Sequence, residues 1–303
     1  MKSASKRNSQ IHGILMFLPY FVLLAMWAIY PLALALYTSF QPSRTSPSWG
    51  FGNYLFALTD FRFLPAVLNV ASFLLLYLPA MLLVVAGMSL LLDSIRARWT
   101  VPLRLLYLVP ATITGSVAVL VWYFMLEPTF SPIKDALAQI GWTQGTDVFN
   151  KGNLVWIFAL IAFSTGAGNW IVIQYGSLQS IPDDILEAAT IDGTNSWQMA
   201  LRIKLPLIRK YLVYMMILTF AAGLQIFVEP YLLSSIPSAP GVANSWALNQ
   251  LSYELAFRGT NLGAATALSF MLLLVCVGLA MWVIYRTDFF DEADIKKKKK
   301  VRG

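Results

Sequence analysis

No glycine in this 303-residue chain is followed by lysine. The Gly-x-x-x-x-Gly-Lys loop that cradles nucleotide phosphates is therefore absent, and no ATP site of that kind is encoded. Cysteine occurs once, as Cys276 within an apolar run, which rules out a disulfide framework and a zinc set and leaves packing as its expected role. Histidine also occurs once, as His12 at the edge of the first apolar run, where it reads as an interfacial residue. Charge is scarce: 12% of residues are Asp, Glu, Lys or Arg, against roughly 25% in a soluble domain. Hydrophobic residues make up 58% and the mean hydropathy is +0.64. Such a chain belongs in a bilayer. The net charge of +7 does not point to nucleic acid, because the positive residues are spread over connecting segments with no aromatic-basic face.

Long charge-free runs divide the chain. None of Asp, Glu, Lys or Arg occurs between Arg7 and Arg44, and Ile11 to Phe40 is long enough to cross about 30 Å of hydrocarbon at 1.5 Å per residue. Ala33-Leu34-Ala35 mimics a signal-peptide cleavage site, but this run is about twice the usual 7–15 residues, which favours an uncleaved span. Six spans are expected, near 12–40, 65–92, 105–126, 153–175, 211–233 and 262–285. All six belong to one all-α transmembrane domain over 1–303. A short surface helix is expected within Pro132 to Ile140, and residues 234–261 read as an outer loop. Gly166-Ala167-Gly168, and Gly259 with Gly263, suit close helix packing in lipid.

Six spans place both ends on one side, and lysine and arginine indicate which. The N-terminal segment carries three (Lys2, Lys6, Arg7), the loop after span two three (Arg96, Arg98, Arg104), the loop after span four four (Arg202, Lys204, Arg209, Lys210) and the tail 286–303 seven. Those segments hold 17 of the 22; the three opposite loops hold Arg44, Arg62, Lys134, Lys151 and Arg258. The positive-inside rule then puts both termini and the loop 179–208 in the cytoplasm. The lysine run of the tail reads as a solvated segment held by anionic headgroups, at about 1 kcal/mol per residue near the surface.

The loop 179–208 is the most informative stretch. Pro182 suits a first helical turn, and Asp183, Asp184 and Glu187 place negative charge at its dipole-positive end. Asp192-Gly193 is a turn dipeptide whose glycine can take a left-handed cap. Asn195 and Ser196 can cap a second short helix carrying Trp197, Leu201 and Ile203, and Pro206 is expected to stop it. Helix, tight turn, helix and stop make an elbow. On chemistry alone that elbow reads equally as an ordinary connection between spans.

Glu187-Ala188-Ala189, with Gly193 after three intervening residues and Ile203-x-Leu205-Pro206 after nine more, resembles the EAA signature of bacterial ABC importer permeases. Leu178-Gln179-Ser180-Ile181-Pro182 resembles the carbohydrate branch, the relatives of the maltose permease subunits. Ala200, where an aromatic is frequent, and Thr194, where alanine is usual, depart from the pattern in ways that bear on how the elbow packs. The resemblance spans roughly the whole chain, and its specific motif covers about 25 residues. It implies a type I importer permease fold in a bacterial cytoplasmic (inner) membrane. It further implies a second homologous permease subunit, two ABC ATPase subunits that hold ATP and magnesium, and an extracytoplasmic solute-binding protein. This chain then has no catalytic residues, metal or cofactor of its own. The elbow is implied to dock on the ATPase, with Glu187, Ala188, Ala189, Asp192 and Gly193 as contact and turn residues and Ile203, Leu205 and Pro206 as anchors.

Polar residues inside spans are costly and face a cavity or a partner helix. Asn69, Tyr77, Asn169, Gln174, Gln225 and Glu229, with Trp122, Tyr123 and Trp170 nearby, supply the amides, hydroxyls and aromatic faces that carbohydrate sites combine; each fits interhelical packing as well. Thr219 and Gly223 fall at spacings from Pro206 that resemble sugar-contacting positions of the maltose permease. Counted along an unbroken helix, Glu229 lies roughly 28 Å beyond Lys210, which fits a gate or outer vestibule as well as solute contact. The implied solute is a sugar or a sugar-like molecule such as a glycerol phosphate. Two rival functions are weaker. A metal-dependent prenyltransferase would use Asp183-Asp184-x-x-Glu187 and Asp288-x-x-Asp291-Glu292 to hold magnesium on a diphosphate, but the first cluster lies inside the matched EAA spacing. An ion-coupled transporter would place ionisable residues at mid-membrane, and spans one to four and six contain none.

Overall fold

A computed structural model describes residues 16–43, 46–95, 97–113, 115–237 and 239–286. His12 and the tail beyond Arg286 lie outside the described residues. The helices are α1 (Met16–Phe40), α2 (Gly52–Thr59), α3 (Phe63–Ser94), α4 (Ala97–Thr112), α5 (Gly115–Leu126), α6 (Lys134–Gln139), α7 (Gly145–Val148) and α8 (Leu154–Leu178). They continue as α9 (Asp183–Ile191), α10 (Ser196–Gln198), α11 (Leu205–Leu207), α12 (Arg209–Leu224), α13 (Val228–Ser234), α14 (Leu248–Tyr253) and α15 (Leu262–Arg286). Three π-helical segments, Ala25–Ile29, Met199–Lys204 and Glu254–Arg258, interrupt or extend them. Among the described residues there is no strand beyond a single bridge between Ser43 and Ser46.

The chain forms two compact units, one of residues 1–60 and 252–271, the other of 61–251 and 272–303. In the first, Asn53 is the hub. Its side-chain amide donates to the Ser39 and Gln41 carbonyls (3.0 and 2.8 Å) and accepts from the Ser43 hydroxyl (2.6 Å). A Cβ at Gly263 would stand 2.6 Å from the Asn53 amide nitrogen, so the glycine leaves that hub its room. The apolar window of α1 has none of its residues buried within the chain.

The second unit is built on α3 and α8, which pack along one another. Both are apolar all round, as a helix with lipid on one side and protein on the other must be. The buried residues of α3, among them Val70, Phe73, Leu74, Tyr77, Met81 and Val85, recur at three- and four-residue intervals and mark its protein-facing side. Lipid is as apolar as leucine, so close van der Waals fit and internal hydrogen bonds hold such helices together. Gln174, fully buried, donates to the Tyr211 carbonyl at 3.0 Å; the Trp122 indole donates to the Ser164 hydroxyl at 2.8 Å; the Asn69 amide donates to the Trp246 carbonyl at 3.1 Å. Of these candidates for cavity residues, Gln174 and Trp122 thus fasten helix to helix, and Asn69 fastens α3 to the segment before α14. Tyr123 likewise stacks on Phe149 with ring centroids 5.5 Å apart. Gly168 lets α4 cross directly over α8, because a Cβ there would coincide with the Tyr107 carbonyl.

Among the described residues, five helices are long and apolar enough to cross a membrane, and a sixth crossing requires the bent pair α4 and α5. The single straight span expected at 105–126 is therefore corrected. The chain turns by 95° between these helices, and α5 begins on Gly115 at φ +59, a conformation open to glycine. The fifth span, 211–233, is also broken: α12 ends at Leu224, and α13 starts only at Val228 after a non-helical Phe227 (φ −144, ψ −51). Residues 234–261 hold α14 and the π-turn Glu254–Arg258 where a loop was expected. The surface helix expected within Pro132 to Ile140 is α6. Beyond it, Asp147 closes a turn by accepting from the Gln144 and Thr143 N–H groups (2.9 and 3.1 Å) and the Thr143 hydroxyl (3.0 Å).

Two outcomes check this packing. Gly168→Ala should cost roughly 1–3 kcal/mol or more by overpacking, while Gly176→Ala, whose added carbon meets nothing, should be neutral or stabilising by up to about 1 kcal/mol; thermal unfolding in detergent compares them. The hydrogen bonds from Gln144 and then Thr143 hold the Asp147 carboxyl below its ordinary value of 3.8. Its contribution is fully present above that pH and is lost as pH falls through the lower folded value. Asp147→Asn should remove that acid-sensitive step from the protection of the 143–147 amides in hydrogen exchange.

Candidate solute cavity and coupling elbow

Inside the second unit, α3, α8, α12 and α13 surround an open cavity of about 530 Å³ that reaches Gly115 at the start of α5. Its wall includes Phe73 and Tyr77 from α3, Thr165, Gly166 and Trp170 from α8, Thr219 and Gly223 from α12, Gln225 to Phe227 from the break, and Glu229 from α13. The break in the fifth span makes this possible. Non-helical backbone at membrane depth is tolerated where it lines a cavity, and here it brings Glu229 beside Gln225. Glu229 belongs to the cavity wall, a position that suits solute contact and a gate alike.

Six of the seven solute-pathway candidates meet here: Tyr77, Trp170, Thr219, Gly223, Gln225 and Glu229. The seventh, Asn169, does not. It lies exposed on α8 outside the lining, because one residue before Trp170 is about 100° round the helix. Phe73, Thr165 and Phe227 were not anticipated. Gly223 permits the wall to close up, since a Cβ would stand 2.6 Å from the Leu74 side chain and 3.3 Å from Phe73.

The polar groups are poised and not spent. Thr219 is 3% exposed and its hydroxyl has no hydrogen-bond partner. Buried hydroxyls are rarely left so, because an unmade bond costs about 1–3 kcal/mol. The Tyr77 hydroxyl has a long contact of 3.5 Å to the Ala162 carbonyl. The Gln225 amide nitrogen has a 4.0 Å contact to Cys276 Sγ. Trp170 meets Tyr214 edge to face at 6.2 Å, and Phe73 stacks on Tyr77 at 5.1 Å. Among the described residues the lining holds one carboxylate and no lysine, arginine or histidine.

The elbow has the geometry its residues suggest, with two differences. Pro182 is the N-cap of α9, one position earlier than a first-turn residue, and Asp183 and Asp184 fill the first turn. Gly193 adopts φ +81 as the turn residue. Asn195 and Gln198 form a reciprocal capping box at 2.8 and 3.1 Å. Pro206 does not stop the second helix. It sits in the opening turn of α11, after a π-turn whose Leu205 N–H bonds to the Ala200 carbonyl, and the chain stays helical to Ile208 (φ −92, ψ 4). Proline needs no donor at a helix start, which is why it is accommodated there. Glu187, Ala188, Asp192 and Gly193 are exposed, whereas Ala189 is buried. The Thr194 N–H and hydroxyl both bond to the Ala189 carbonyl, so Ala189 closes the elbow on itself. Ile203 and Leu205 are half-buried and Pro206 is exposed.

Asp93, at the end of α3, also reaches the elbow. It accepts from the Gln179 amide at 2.6 Å and from Lys204 Nζ at 2.5 Å. Its only signal in the sequence is that it ends a 30-residue charge-free run.

No family model matches the chain. It is 30% identical over 293 residues to the sulfoquinovosyl glycerol transport system permease protein SmoG of Agrobacterium fabrum, covering 92% of each chain. It is 25% identical to the sn-glycerol-3-phosphate transport system permease protein UgpA of Yersinia pseudotuberculosis, over 88% of this chain and 91% of that one. In fold it matches a bacterial ABC transporter involved in import of the acidic polysaccharide alginate (TM-score 0.81, 18% identity, 95% and 98% coverage). It also matches an alginate ABC transporter in complex with an alginate pentasaccharide-bound periplasmic protein (TM-score 0.79, 17% identity, 95% and 97% coverage). This chain belongs to the family of ABC importer permease subunits of the carbohydrate type: a multi-pass, all-helical membrane protein that transports and is not an enzyme, its ATP hydrolysis residing on a separate chain.

Proposed function

We propose that this subunit forms half of the translocation pore for an uncharged carbohydrate or polyol, bound in the cavity between α3, α8, α12 and α13. The observation that carries the reading is the lining: amide, hydroxyl and aromatic groups with one carboxylate and, among the described residues, no cation. An anionic solute would lose its hydration beside apolar walls and Glu229 without a positive side chain to answer it, a cost of several kcal/mol. A neutral sugar meets no such penalty. Its C–H face can lie on Trp170 and its hydroxyls can engage the unpartnered Thr219, the Gln225 amide, Tyr77 and the Glu229 carboxylate. The solutes printed for the alginate and glycerol-3-phosphate importers are acidic, so in this respect the present cavity is distinct from what those proteins must accommodate.

The transport cycle follows from the elbow. Exposed Glu187, Ala188, Asp192 and Gly193 offer a contact surface to an ATPase subunit, and the capping box and Gly193 turn keep that surface rigid. The 17-to-5 distribution of lysine and arginine supports a cytoplasmic elbow and cytoplasmic termini, in the inner membrane of a bacterium. Two ATPase copies, holding ATP and magnesium, would close on ATP binding and turn the elbows. The pore formed with a second, homologous permease subunit would then open outward to an extracytoplasmic binding protein. A rigid hook passes such a rigid-body motion to the spans it joins; a floppy loop would absorb it.

Uptake into vesicles holding the complete transporter tests both halves. Neutral sugars and polyols should be taken up with ATP, and sugar phosphates and uronates should neither enter nor compete; entry of an anion alone would reverse the solute assignment. Glu187→Lys should abolish ATP-dependent uptake with the permease still inserted. Thr219→Val should lower uptake roughly tenfold, about one hydrogen bond's worth, without lowering the unfolding temperature. An undiminished rate would remove Thr219 from the solute contacts.

A further inference from the structure

We propose that Asp93 is the positioning residue through which the elbow moves the cavity wall, by pinning the second span to both stems of the elbow. This inference rests on the coupling role proposed above and adds the route by which motion reaches the solute.

Three lines of chain converge on this one carboxylate. Asp93 occupies the last turn of α3. Gln179, the residue that follows α8 and enters the elbow, donates its amide to one carboxylate oxygen at 2.6 Å. Lys204, which leads out of the elbow toward α12, donates Nζ to the other oxygen at 2.5 Å. Gln179 and Lys204 bracket the whole of α9 and the Gly193 turn, so a single acidic group closes the elbow at its base. The pair is withdrawn from solvent: the Asp93 side chain is 7% exposed and that of Lys204 20%. Charge pairs in such a setting are geometrically demanding, and loss of one partner leaves the other uncompensated.

The local backbone supports the same role. Lys204 ends the π-helical segment Met199–Lys204, whose wider turn adds a residue to the helix and re-aims the side chains that follow. Toward its middle α3 presents Phe73 and Tyr77 to the cavity, and Tyr77 lies roughly 24 Å along the helix from Asp93. A continuous helix pinned at this end, with Pro79 as the one interior proline on the way, thus carries displacement of the elbow toward the residues that line the solute site. The stems alone reach α8 and α12. Asp93 recruits the third wall.

The test uses the assembled transporter in vesicles, with Asp93→Asn, Lys204→Met and the reversed pair D93K with K204D. Solute imported per ATP hydrolysed is measured beside the amount of ATPase that copurifies. Both single variants should retain ATPase binding while import per ATP falls roughly three- to thirtyfold, the range of a coupling contact, and the reversed pair should recover much of it. Import per ATP unchanged in Asp93→Asn, or a fall that only tracks loss of assembled complex with no recovery in the reversed pair, would overturn the proposal. A second readout needs no solute. Spin labels at Leu91 and Ile191, both exposed, placed in a Cys276→Ser background, report the distance between the end of α3 and the end of α9. Wild type should give one narrow distance that is the same without nucleotide and with ATP trapped, and Asp93→Asn should broaden it. A distance that shifts on trapping in wild type, or stays narrow in Asp93→Asn, would sink the pin. Absence of ATP-driven uptake by wild type would instead defeat the transport reading, and the label distances would still decide the role of Asp93.

Discussion

In hydrocarbon every backbone N–H and C=O must find its partner within the protein, and the regular helix is the local solution. That constraint makes departures from helix the most telling features of this chain. Residues 225–227 leave α12 unwound where it borders the cavity, and the chain recovers because the Tyr231 N–H bonds back to the Phe227 carbonyl. The turn between α4 and α5 ends on Gly115, another cavity residue. The π-turn Met199–Lys204 precedes the lysine that meets Asp93. These three irregularities coincide with the cavity or with the Asp93 contact; the π-helical segment Ala25–Ile29, with no buried residue, does not.

The same constraint explains the division of the polar residues. Gln174 and Trp122 are satisfied across helix pairs, and Asn69 by the backbone before α14, and so all three are consumed by structure. Thr219 is not satisfied, although it is as deeply buried. A buried donor without a partner persists in a packed interior when a ligand supplies the bond, and Thr219 faces a cavity of suitable size for one.

Much of this was legible before any coordinates. Charge-free runs locate the membrane helices within a few residues, because burying an unpaired charge in lipid is prohibitive. The elbow follows from strong local rules: a helix start at Pro182, a glycine that alone takes φ +81 cheaply, and the Asn195–Gln198 box. What was missed is non-local or directional. An apolar run does not encode the 95° turn between α4 and α5, since leucine-rich sequence reads alike on either side of a bend. The break after Leu224 is signalled by Pro230 in the first turn of α13, which has no N–H to bond back to the Ile226 carbonyl and whose ring crowds it; the count of residues up to Glu229 passed over that proline. Asn169 was grouped with Trp170 by proximity along the chain, and helical phase puts the two on different sides. Asp93 and Lys204 are 111 residues apart, and no pattern of spacing connects them.

Coupling in this molecule is a problem of stiffness over distance. The surface of the elbow proposed to meet an ATPase is small, whereas the cavity wall begins roughly 24 Å along α3 from Asp93. Local caps make α9 and α10 rigid, but caps act only within a turn and carry no displacement to the spans. Packing within lipid is tight yet can slide, because its contacts are many and individually weak. A partly buried, hydrogen-bonded charge pair supplies what both lack: a point attachment that resists sliding and depends on orientation. Its placement at the base of the elbow, and not at the tip, leaves Glu187 and its neighbours free to engage a partner while the stems and α3 respond together.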